Sequence, residues 1–252
     1  MSNSIFNLEG KVVLITGASG LQGPEHVKLL KQAGAEVVAT DIKNADIVLD
    51  VTDEQSIQKA IAEVIKKYGR IDVLINNAGG ISNSDPTRST GFEEQDLDSW
   101  EKIIRLNLTS VFLCCQAIGA IMVKQKAGSI INVSSIYGLV APDFRLYEKT
   151  SGCVKVGTPA AFTAAKTGLI GLTKYLASYW ADKGIRVNCV TPGGIFDNQS
   201  ENFVKKYSQK TMLGRMAEKN EVSGAILYLA SDLSSYVTGA NLIVDGGLTA
   251  KA

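Results

Sequence analysis

The chain has few of the residues that build metal sites and disulfide frameworks. It contains one histidine, His26, and four cysteines, Cys114, Cys115, Cys153 and Cys189. Their spacing fits neither a zinc motif nor a disulfide pattern. We therefore expect no metal site, and thiols that stay reduced, as thiols do in the cytosol.

Charge and hydropathy exclude further classes of protein. The 26 Lys and Arg nearly cancel the 25 Asp and Glu, and no long run of one sign occurs, which argues against a nucleic-acid or membrane surface. No uninterrupted apolar run approaches the roughly 18 residues of a membrane span. The opening residues, Met1 to Ser4, lack the basic and apolar regions of a signal peptide. These features predict a cytoplasmic protein whose partner is a small molecule.

What the chain does have is apolar residues in a regular alternation. With 252 residues, of which 45% are hydrophobic, it can bury a large core. No Pro-, Gly- or Ser-rich linker divides it, so we expect one domain over residues 1–252, although two smaller domains would also fit the length. Short apolar runs alternate with segments of helical periodicity. This pattern predicts an α/β fold: a doubly wound parallel sheet with helices on both faces.

A glycine-rich stretch at residues 16–23, TGASGLQG, is the feature around which the rest is arranged. It follows an apolar run at 12–15 and precedes a helical pattern that continues to Leu30. Glycines at a strand-to-helix turn let the backbone approach a pyrophosphate, and the helix N-terminus favours its negative charge. A dinucleotide is therefore the predicted ligand. The turn residues expected to contact it are Gly17, Ser19, Gly20, Leu21 and Gly23.

The next predicted strand, 36–40, ends at Asp41. A carboxylate about twenty residues after the glycines binds the ribose 2′-hydroxyl of a dinucleotide and repels a 2′-phosphate. The cofactor is therefore expected to be NAD and not NADP. Lys43 is the nearest residue that would weaken this preference.

Small and polar residues follow three later strands at their carboxyl ends. The runs at 71–75, 129–133 and 185–190 are followed, respectively, by Asn76-Asn77-Ala78-Gly79, by Ser134-Ser135 and by Thr191-Pro192-Gly193-Gly194. Open α/β sheets bind their ligands at this edge, so these residues should border cofactor or substrate. A plain turn is the alternative for the first of them.

Two polar residues lie inside apolar helical patterns. Asn107 falls within the predicted helix 97–123, and a buried amide there needs hydrogen-bond partners whether its role is structural or chemical. Lys166 falls within the predicted helix 162–180, among many Ala and Gly. It either faces solvent or lies beside a ribose that the small neighbours admit.

Taken in order, these motifs resemble those of the short-chain dehydrogenase/reductase family. The resemblance extends from about residue 8 to residue 248 and includes Val244-Asp245-Gly246-Gly247. It implies a Rossmann-like single-domain fold, reversible hydride transfer between nicotinamide and an alcohol or ketone carbon, and a homotetramer. Residues 135–148 with Pro192-Gly193-Gly194-Ile195 further resemble a bacterial subgroup described as flagellin-modification or surface-carbohydrate oxidoreductases. That narrower resemblance implies a sugar or a sugar nucleotide as substrate.

The family assigns four roles to matched positions. A tyrosine is the acid and base, a lysine four residues later lowers its pKa and holds the nicotinamide ribose, a serine orients the substrate oxygen, and an asparagine supports a water relay. The matching positions are Phe162, Lys166, Ser135 and Asn107. Cofactor contacts are implied for Asp50, Val51, Asn77, Ala78, Gly79, Lys166, Pro192, Gly193 and Ile195.

The tyrosine position departs from the family pattern, because the chain reads Phe162-Thr-Ala-Ala-Lys166. Phenylalanine has no ionisable proton, and loss of a positioned acid or base removes roughly 10²- to 10⁴-fold in rate. We expect an impaired catalyst. Three explanations stay open: an engineered Tyr-to-Phe change, a natural enzyme with another acid, and a natural NAD-binding regulatory or scaffold protein without chemistry.

Two further departures concern spacing. Short family members usually show TGxxxGxG, whereas Gly20 comes one position early and Leu21 stands in place of the middle glycine. About a dozen residues look inserted before Phe162, at 141–157, and they carry charged side chains and Tyr147. Tyr147 is the obvious substitute acid, yet residue 151 is Ser and not Lys. The insertion either contacts a hydroxylated or charged substrate or is a surface loop.

Overall fold

The computed structural model describes residues 6–81, 85–88, 90–147, 149–150, 153–154 and 157–251. The strands in the described part are β1 Val12–Thr16, β2 Glu36–Asp41, β3 Ile47–Val48, β4 Val73–Asn76, β5 Gly128–Val133, β6 Lys149–Thr150, β7 Cys153–Val154, β8 Ile185–Pro192 and β9 Asn241–Val244. The α-helices are α1 Gly23–Gln32, α2 Glu54–Tyr68, α3 Leu97–Ile104, α4 Ser110–Gln125, α5 Ala160–Tyr179, α6 Glu201–Ser208 and α7 Ser223–Ala230.

Seven strands form one parallel sheet in the order β3-β2-β1-β4-β5-β8-β9. All residues of β1 and β4 are buried, which explains why these strands read as continuous apolar runs. The strand order reverses between β1 and β4, and ligands of such sheets bind at the carboxyl edge beside that reversal. The glycine-rich turn follows β1 directly, so the fold places it at this point. The strands β6 and β7 form a separate antiparallel pair.

Helices cover both faces of the sheet, as the sequence predicts. Because side chains alternate along a strand, Leu14 and Leu74 belong to the core under α2, α4 and α5. Ile15 and Ile75, one position further on, belong to the core under α1 and α7. This is the predicted doubly wound α/β architecture.

The predicted helix 97–123 is observed as α3 and α4 joined by one π-helical turn, Arg105–Thr109. By length and composition alone, Leu97–Gln125 would suffice to cross a membrane, with a mean hydropathy of 1.8 in its most apolar window. Half of that window is buried inside the fold, where Ile118 and Met122 pack in the core. It is a core helix.

His26 lies fully buried on α1, where the sequence left its environment open. Its Nδ1 is 2.8 Å from the hydroxyl of Ser223 on α7, while Nε2 has no hydrogen-bond partner among the described residues. Burial lowers the pKa of His26 to about 4, because the interior disfavours the imidazolium.

The buried imidazole should make stability depend on acid. An unfolded histidine takes up a proton near its ordinary pKa of 6.5, whereas folded His26 does so only near 4, so the free energy of unfolding should fall as the pH drops between these values. The contribution of this one group is about 3 kcal/mol. Urea unfolding at pH 7, 5 and 4 measures it. His26→Gln cannot titrate and should lose stability less steeply; an equal slope in both proteins would contradict this explanation.

Candidate active site

The glycine-rich turn packs so tightly that two of its glycines admit no side chain. A Cβ on Gly17 would lie 2.7 Å from the Cα of Ala78, and one on Gly23 would lie 2.4 Å from the carbonyl oxygen of Ala18. The N–H of Gly20 donates to the carbonyl oxygen of Gly17 at 3.1 Å and closes the turn.

Beyond that bond, the turn presents free donors. Among the described residues, the N–H groups of Leu21, Gln22 and Gly23 find no partner. They stand at the start of α1, where unpaired N–H groups and the helix dipole together attract an anion. Although Leu21 stands where the family usually has a glycine, its backbone N–H is free to bind an anion.

The turn after β4 is bonded to the turn after β1. The hydroxyl oxygen of Thr16 accepts from the N–H groups of Asn77 at 3.1 Å and Ala78 at 3.0 Å. In return, Nδ2 of Asn77 donates to the carbonyl oxygens of Thr16 at 3.1 Å and Gly17 at 2.9 Å. The two predicted cofactor-binding segments therefore form one rigid wall.

Asp41 ends β2 beside the same turn. Its Oδ2 accepts from the N–H of Ser19 at 2.9 Å, and its Oδ1 accepts from the N–H of Ile42 at 2.7 Å. The Ser19 hydroxyl lies 2.9 Å from the carbonyl oxygen of Lys43 and 2.8 Å from that of Asn44. The carboxylate is thus held at the sheet edge beside the glycine-rich turn.

Asp50 and Val51 follow β3 at the same edge. Asp50 is exposed and its Oδ1 accepts from the N–H and the hydroxyl of Thr52, at 2.8 and 2.7 Å. Val51 is buried in the core under α2. Asp50 therefore shapes the turn before α2 while its other carboxylate oxygen stays accessible.

Asn107 lies within the π-helical turn and is fully buried. Its Oδ1 accepts from the N–H of Gly80 at 2.7 Å, and its Nδ2 lies 3.0 Å from the carbonyl oxygens of both Gly80 and Ile103. A Cβ on Gly79 would lie 2.9 Å from that Oδ1 and 3.3 Å from Nζ of Lys166. The structure thus brings Asn107 and Lys166 together at Gly79, and gives Asn107 a structural role in holding Gly80.

Lys166 is buried, contrary to the solvated alternative, with 5% of its surface exposed. Its Nζ donates to the carbonyl oxygen of Val133 at 2.9 Å, and the ring of Phe162, one helical turn earlier, has its centroid 5.6 Å from Nζ. Burial lowers the pKa of Lys166 to about 8. The ammonium is held next to the ring that occupies the family's tyrosine position.

Ser135 follows β5, and the turn that carries it is tied to the helix that carries Lys166. The hydroxyl of Ser134 donates to the carbonyl oxygen of Lys166 at 2.8 Å. The Ser135 oxygen accepts from the N–H of Tyr137 at 3.2 Å, which leaves the hydroxyl proton of Ser135 to donate elsewhere. Ser135 and Lys166 are therefore fixed relative to each other.

Tyr147, the substitute acid weighed above, lies in the inserted segment. Its hydroxyl is 3.2 Å from that of Tyr137 and 3.1 Å from that of Thr158. Among the described residues these are its hydrogen-bond partners, and neither is a cation. Of the insertion, residues 148, 151–152 and 155–156, and hence Glu148, lie outside the described residues.

The residues after β8 border the site from the other side. Pro192 pairs with Val244 of β9, and the N–H of Gly193 donates to the carbonyl oxygen of Val244 at 2.8 Å. Ile195 is buried and bridges to Ala217. These positions therefore continue the carboxyl edge of the sheet, as predicted.

Two residues of this region were missed from the sequence. The hydroxyl of Tyr207 on α6 accepts from the N–H of Gly194 at 2.5 Å, and the guanidinium of Arg88 donates to the carbonyl oxygens of Gly157 at 3.0 Å and Ile81 at 3.1 Å. Tyr207 binds backbone 13 positions away, and Arg88 binds backbone 7 and 69 positions away. The sequence signal for Tyr207 is its spacing of four from Phe203, which puts both rings on one helix face. The sequence gives no such signal for Arg88.

Comparison with known proteins decides the family. A family model described as enoyl-(acyl carrier protein) reductase matches residues 17–249, which span the glycine-rich turn, every candidate residue and the end of the sheet. The chain belongs to the short-chain dehydrogenase/reductase family. It is accordingly an oxidoreductase of the class that uses a nicotinamide cofactor.

Several members are similar over their whole length. The 3-oxoacyl-[acyl-carrier-protein] reductase FabG of Thermotoga maritima is 38% identical, over 96% of this chain and 98% of its own. A short-chain dehydrogenase of Leptospira borgpetersenii with bound NAD+ superposes with a TM-score of 0.88 at 34% identity, covering 99% of this chain and 97% of its own. A gluconate 5-dehydrogenase of Burkholderia cenocepacia, in complex with NADP and tartrate, gives 0.85 at 30% identity, covering 98% of each chain.

Replacing Gly23 by alanine should destabilise the protein, because the added Cβ would meet the backbone oxygen of Ala18 at 2.4 Å. We expect a loss of roughly 1–3 kcal/mol in the free energy of unfolding, measured in urea. The matched control is Gly224→Ala in α7, where a Cβ meets nothing within 4 Å and alanine is the better helix former. If Gly23→Ala lost no more stability than Gly224→Ala, the turn would tolerate a side chain and the prediction would be wrong.

Proposed function

We propose that the chain binds NAD and that its site is built for hydride transfer between the nicotinamide and a secondary alcohol or ketone carbon of a sugar or sugar nucleotide. The observation that carries the proposal is the convergence of Ser135, Asn107 and Lys166 at one edge of the sheet, beside the glycine-rich turn. As it stands, with Phe162, this form is proposed to be impaired in the chemical step.

The residues present fit a dinucleotide. A cradle that excludes a Cβ at Gly17 and Gly23 leaves backbone close to where a pyrophosphate lies, and the free N–H groups of Leu21 and Gln22 are its donors. Asp41 is the proposed partner of the adenosine ribose. The remaining proposed cofactor contacts are Ser19, Gly20, Asp50, Val51, Asn77, Ala78, Gly79, Lys166, Pro192, Gly193 and Ile195.

When bound, the nicotinamide supplies or accepts the hydride. The chain's own residues must then orient the substrate oxygen and move its proton. The hydroxyl of Ser135 donates to that oxygen, because it accepts from the N–H of Tyr137 and its own proton is still available. The Lys166 ammonium binds the nicotinamide ribose, and Asn107, which fixes Gly80, supports a water near Lys166.

No group at position 162 can take the substrate proton. A phenol there would stand beside the Lys166 ammonium, whose charge favours the phenolate and lowers the phenol pKa toward the neutral range. The phenylalanine ring keeps the place and the contact with Nζ but lacks the oxygen. The intact surroundings favour an engineered Tyr-to-Phe change, with a different natural acid as the alternative.

A sugar-like substrate is supported by polar groups on the substrate side of the site. The hydroxyls of Tyr137, Tyr147 and Thr158 form a connected set there. The similar gluconate 5-dehydrogenase was solved in complex with tartrate, a ligand of comparable polarity.

The second candidate function is that of an NAD-binding regulatory or scaffold protein. Phe162 favours this candidate, whereas the retained Ser135 and Lys166 argue against it.

We further propose a cytoplasmic homotetramer. The outer faces of α4 and α5 expose Phe112, 46% exposed, and Tyr175 and Tyr179, each 64% exposed. The two tyrosine rings stack with their centroids 5.9 Å apart, so they form one exposed aromatic pair suited to burial against another copy. Cys114, Cys115 and Cys189 are free and buried, in keeping with a reducing compartment.

Restoring the phenol should restore turnover. Phe162→Tyr should form NADH from NAD at least roughly 10²-fold faster than the unchanged chain, over a panel of sugars and nucleotide sugars. Tyr236→Phe in the Phe162→Tyr background removes a fully exposed phenol outside the site, so it is the matched control and should change the rate little. Equal turnover with and without the phenol would assign the acid to another residue. Silence from both, with NAD still bound, would favour the regulatory or scaffold candidate.

Asp41 should set the cofactor preference. NADH should bind at least about tenfold more tightly than NADPH, a difference of about 1.4 kcal/mol, because the carboxylate accepts from a 2′-hydroxyl and repels a 2′-phosphate. Asp41→Ala should reduce that ratio, whereas Asp46→Ala should not, because Asp46 lies before β3 and accepts from the N–H of Ala39. Fluorescence titration with each reduced cofactor measures it. Tighter binding of NADPH by the unchanged chain would refute the NAD assignment.

A further inference from the structure

The described part of the inserted segment is not a free surface loop, because one ion pair and one hydrogen bond hold it against α6 and the residues just after it. Asp143 pairs with Arg145 at 2.8 Å on its own segment and with Lys210 just beyond α6. From α6 itself, Nζ of Lys206 donates to the carbonyl oxygen of Arg145 at 3.3 Å. Two stretches separated by some sixty positions are therefore joined by charge.

Aromatic rings extend the same contact inward. The ring of Tyr147 lies 5.6 Å from that of Phe203, which stacks on Tyr207 at 5.9 Å. Leu146, the residue before Tyr147, is buried in the same small core. The Asp143–Lys210 ion pair therefore lies beside an apolar layer and is not an isolated surface contact.

This layer is attached to the site at two points. Tyr207 holds the N–H of Gly194 in the turn after β8, and the hydroxyl of Tyr147 contacts that of Tyr137, whose N–H donates to Ser135. A displacement of α6 would therefore reach both the Ser135 turn and the turn after β8.

The pair Asp143–Lys210 is the one best placed to control α6. The side chain of Asp143 is 19% exposed and that of Lys210 is 35% exposed, whereas Arg145 is 88% exposed. Hydrogen bonds from Arg145 and Lys210 hold the pKa of Asp143 far below its ordinary value. Because partly buried charges are costly to leave unpaired, removing either partner has a larger effect than at an exposed pair.

We propose that Asp143 and Lys210 form an ionic clasp that positions α6 over the carboxyl edge of the sheet, and that this clasp thereby holds the Ser135 turn and the turn after β8 in place for substrate. Both are positioning residues, since they act through Tyr147 and Tyr207. The part that concerns substrate rests on the proposed function; the clasp itself does not.

Hydrogen–deuterium exchange on the cofactor-free chain tests the clasp without turnover. Asp143→Asn and Lys210→Met should each speed exchange in peptides covering residues 201–210 by about three- to tenfold, while peptides from β1 and β4 are unaffected. The double variant should exchange no faster than the single ones, because both remove the same contact. The control is Lys219→Met, which breaks the comparably exposed pair with Asp197 at 3.0 Å and should leave α6 unchanged.

Exchange at α6 that matches the control would overturn the clasp, whether or not the chain is active. A second readout uses Phe162→Tyr as the parent: adding Lys210→Met should raise KM for substrate several-fold, with kcat and NADH affinity little changed. Faster exchange with unaltered KM would overturn the link to substrate binding. Faster exchange with no turnover in either parent would leave the clasp standing and count against the proposed function instead.

Discussion

The close approach of two backbones underlies the site. The turns that follow β1 and β4 meet at Gly17 and Ala78 at a distance that no side chain allows, and Thr16 and Asn77 exchange hydrogen bonds across the gap. These turns stand on either side of the point where the strand order reverses. The parallel sheet therefore brings both turns to the same edge, and Gly17, which lacks a side chain, lets their backbones approach each other.

Burial determines the electrostatics of the opposite half of the site. Lys166 sits on a helix that could have shown it to water, yet Ser134 binds its backbone and the carbonyl oxygen of Val133 binds its ammonium. Desolvation lowers the pKa of Lys166, so Lys166 loses its proton more readily than a surface lysine does. Phe162 adds only the face of a ring to this environment, a weak partner compared with an oxygen anion.

Local patterns predicted the fold, and they predicted that the candidate residues would lie along one edge of the sheet, because the physical causes of these patterns are local. The buried run at 12–15, the glycine turn and Asp41 are read within thirty residues, and the parallel sheet follows from their repetition. Tyr207 and Arg88 were not predicted because each binds the backbone of another loop, and that contact depends on how the whole chain folds. The burial of His26 was likewise undecided, since it depends on α7, almost two hundred residues later. For the inserted segment, the sequence left open both substrate contact and a surface loop, and its contact with α6 was not predicted because α6 lies some fifty residues later.

The π-helical turn at Arg105–Thr109 has a consequence for how α4 is oriented. A π turn takes up one residue more than an α turn, so everything after it is rotated by about 100° relative to an unbroken continuation of α3. With that rotation α4 directs Ile118 and Met122 into the core, and Asn107 reaches Gly80. Deleting one residue there would make a more regular helix with the wrong face inward. The π-helical turn thus sets which face of α4 points inward, and both the core and the contact between Asn107 and Gly80 depend on it.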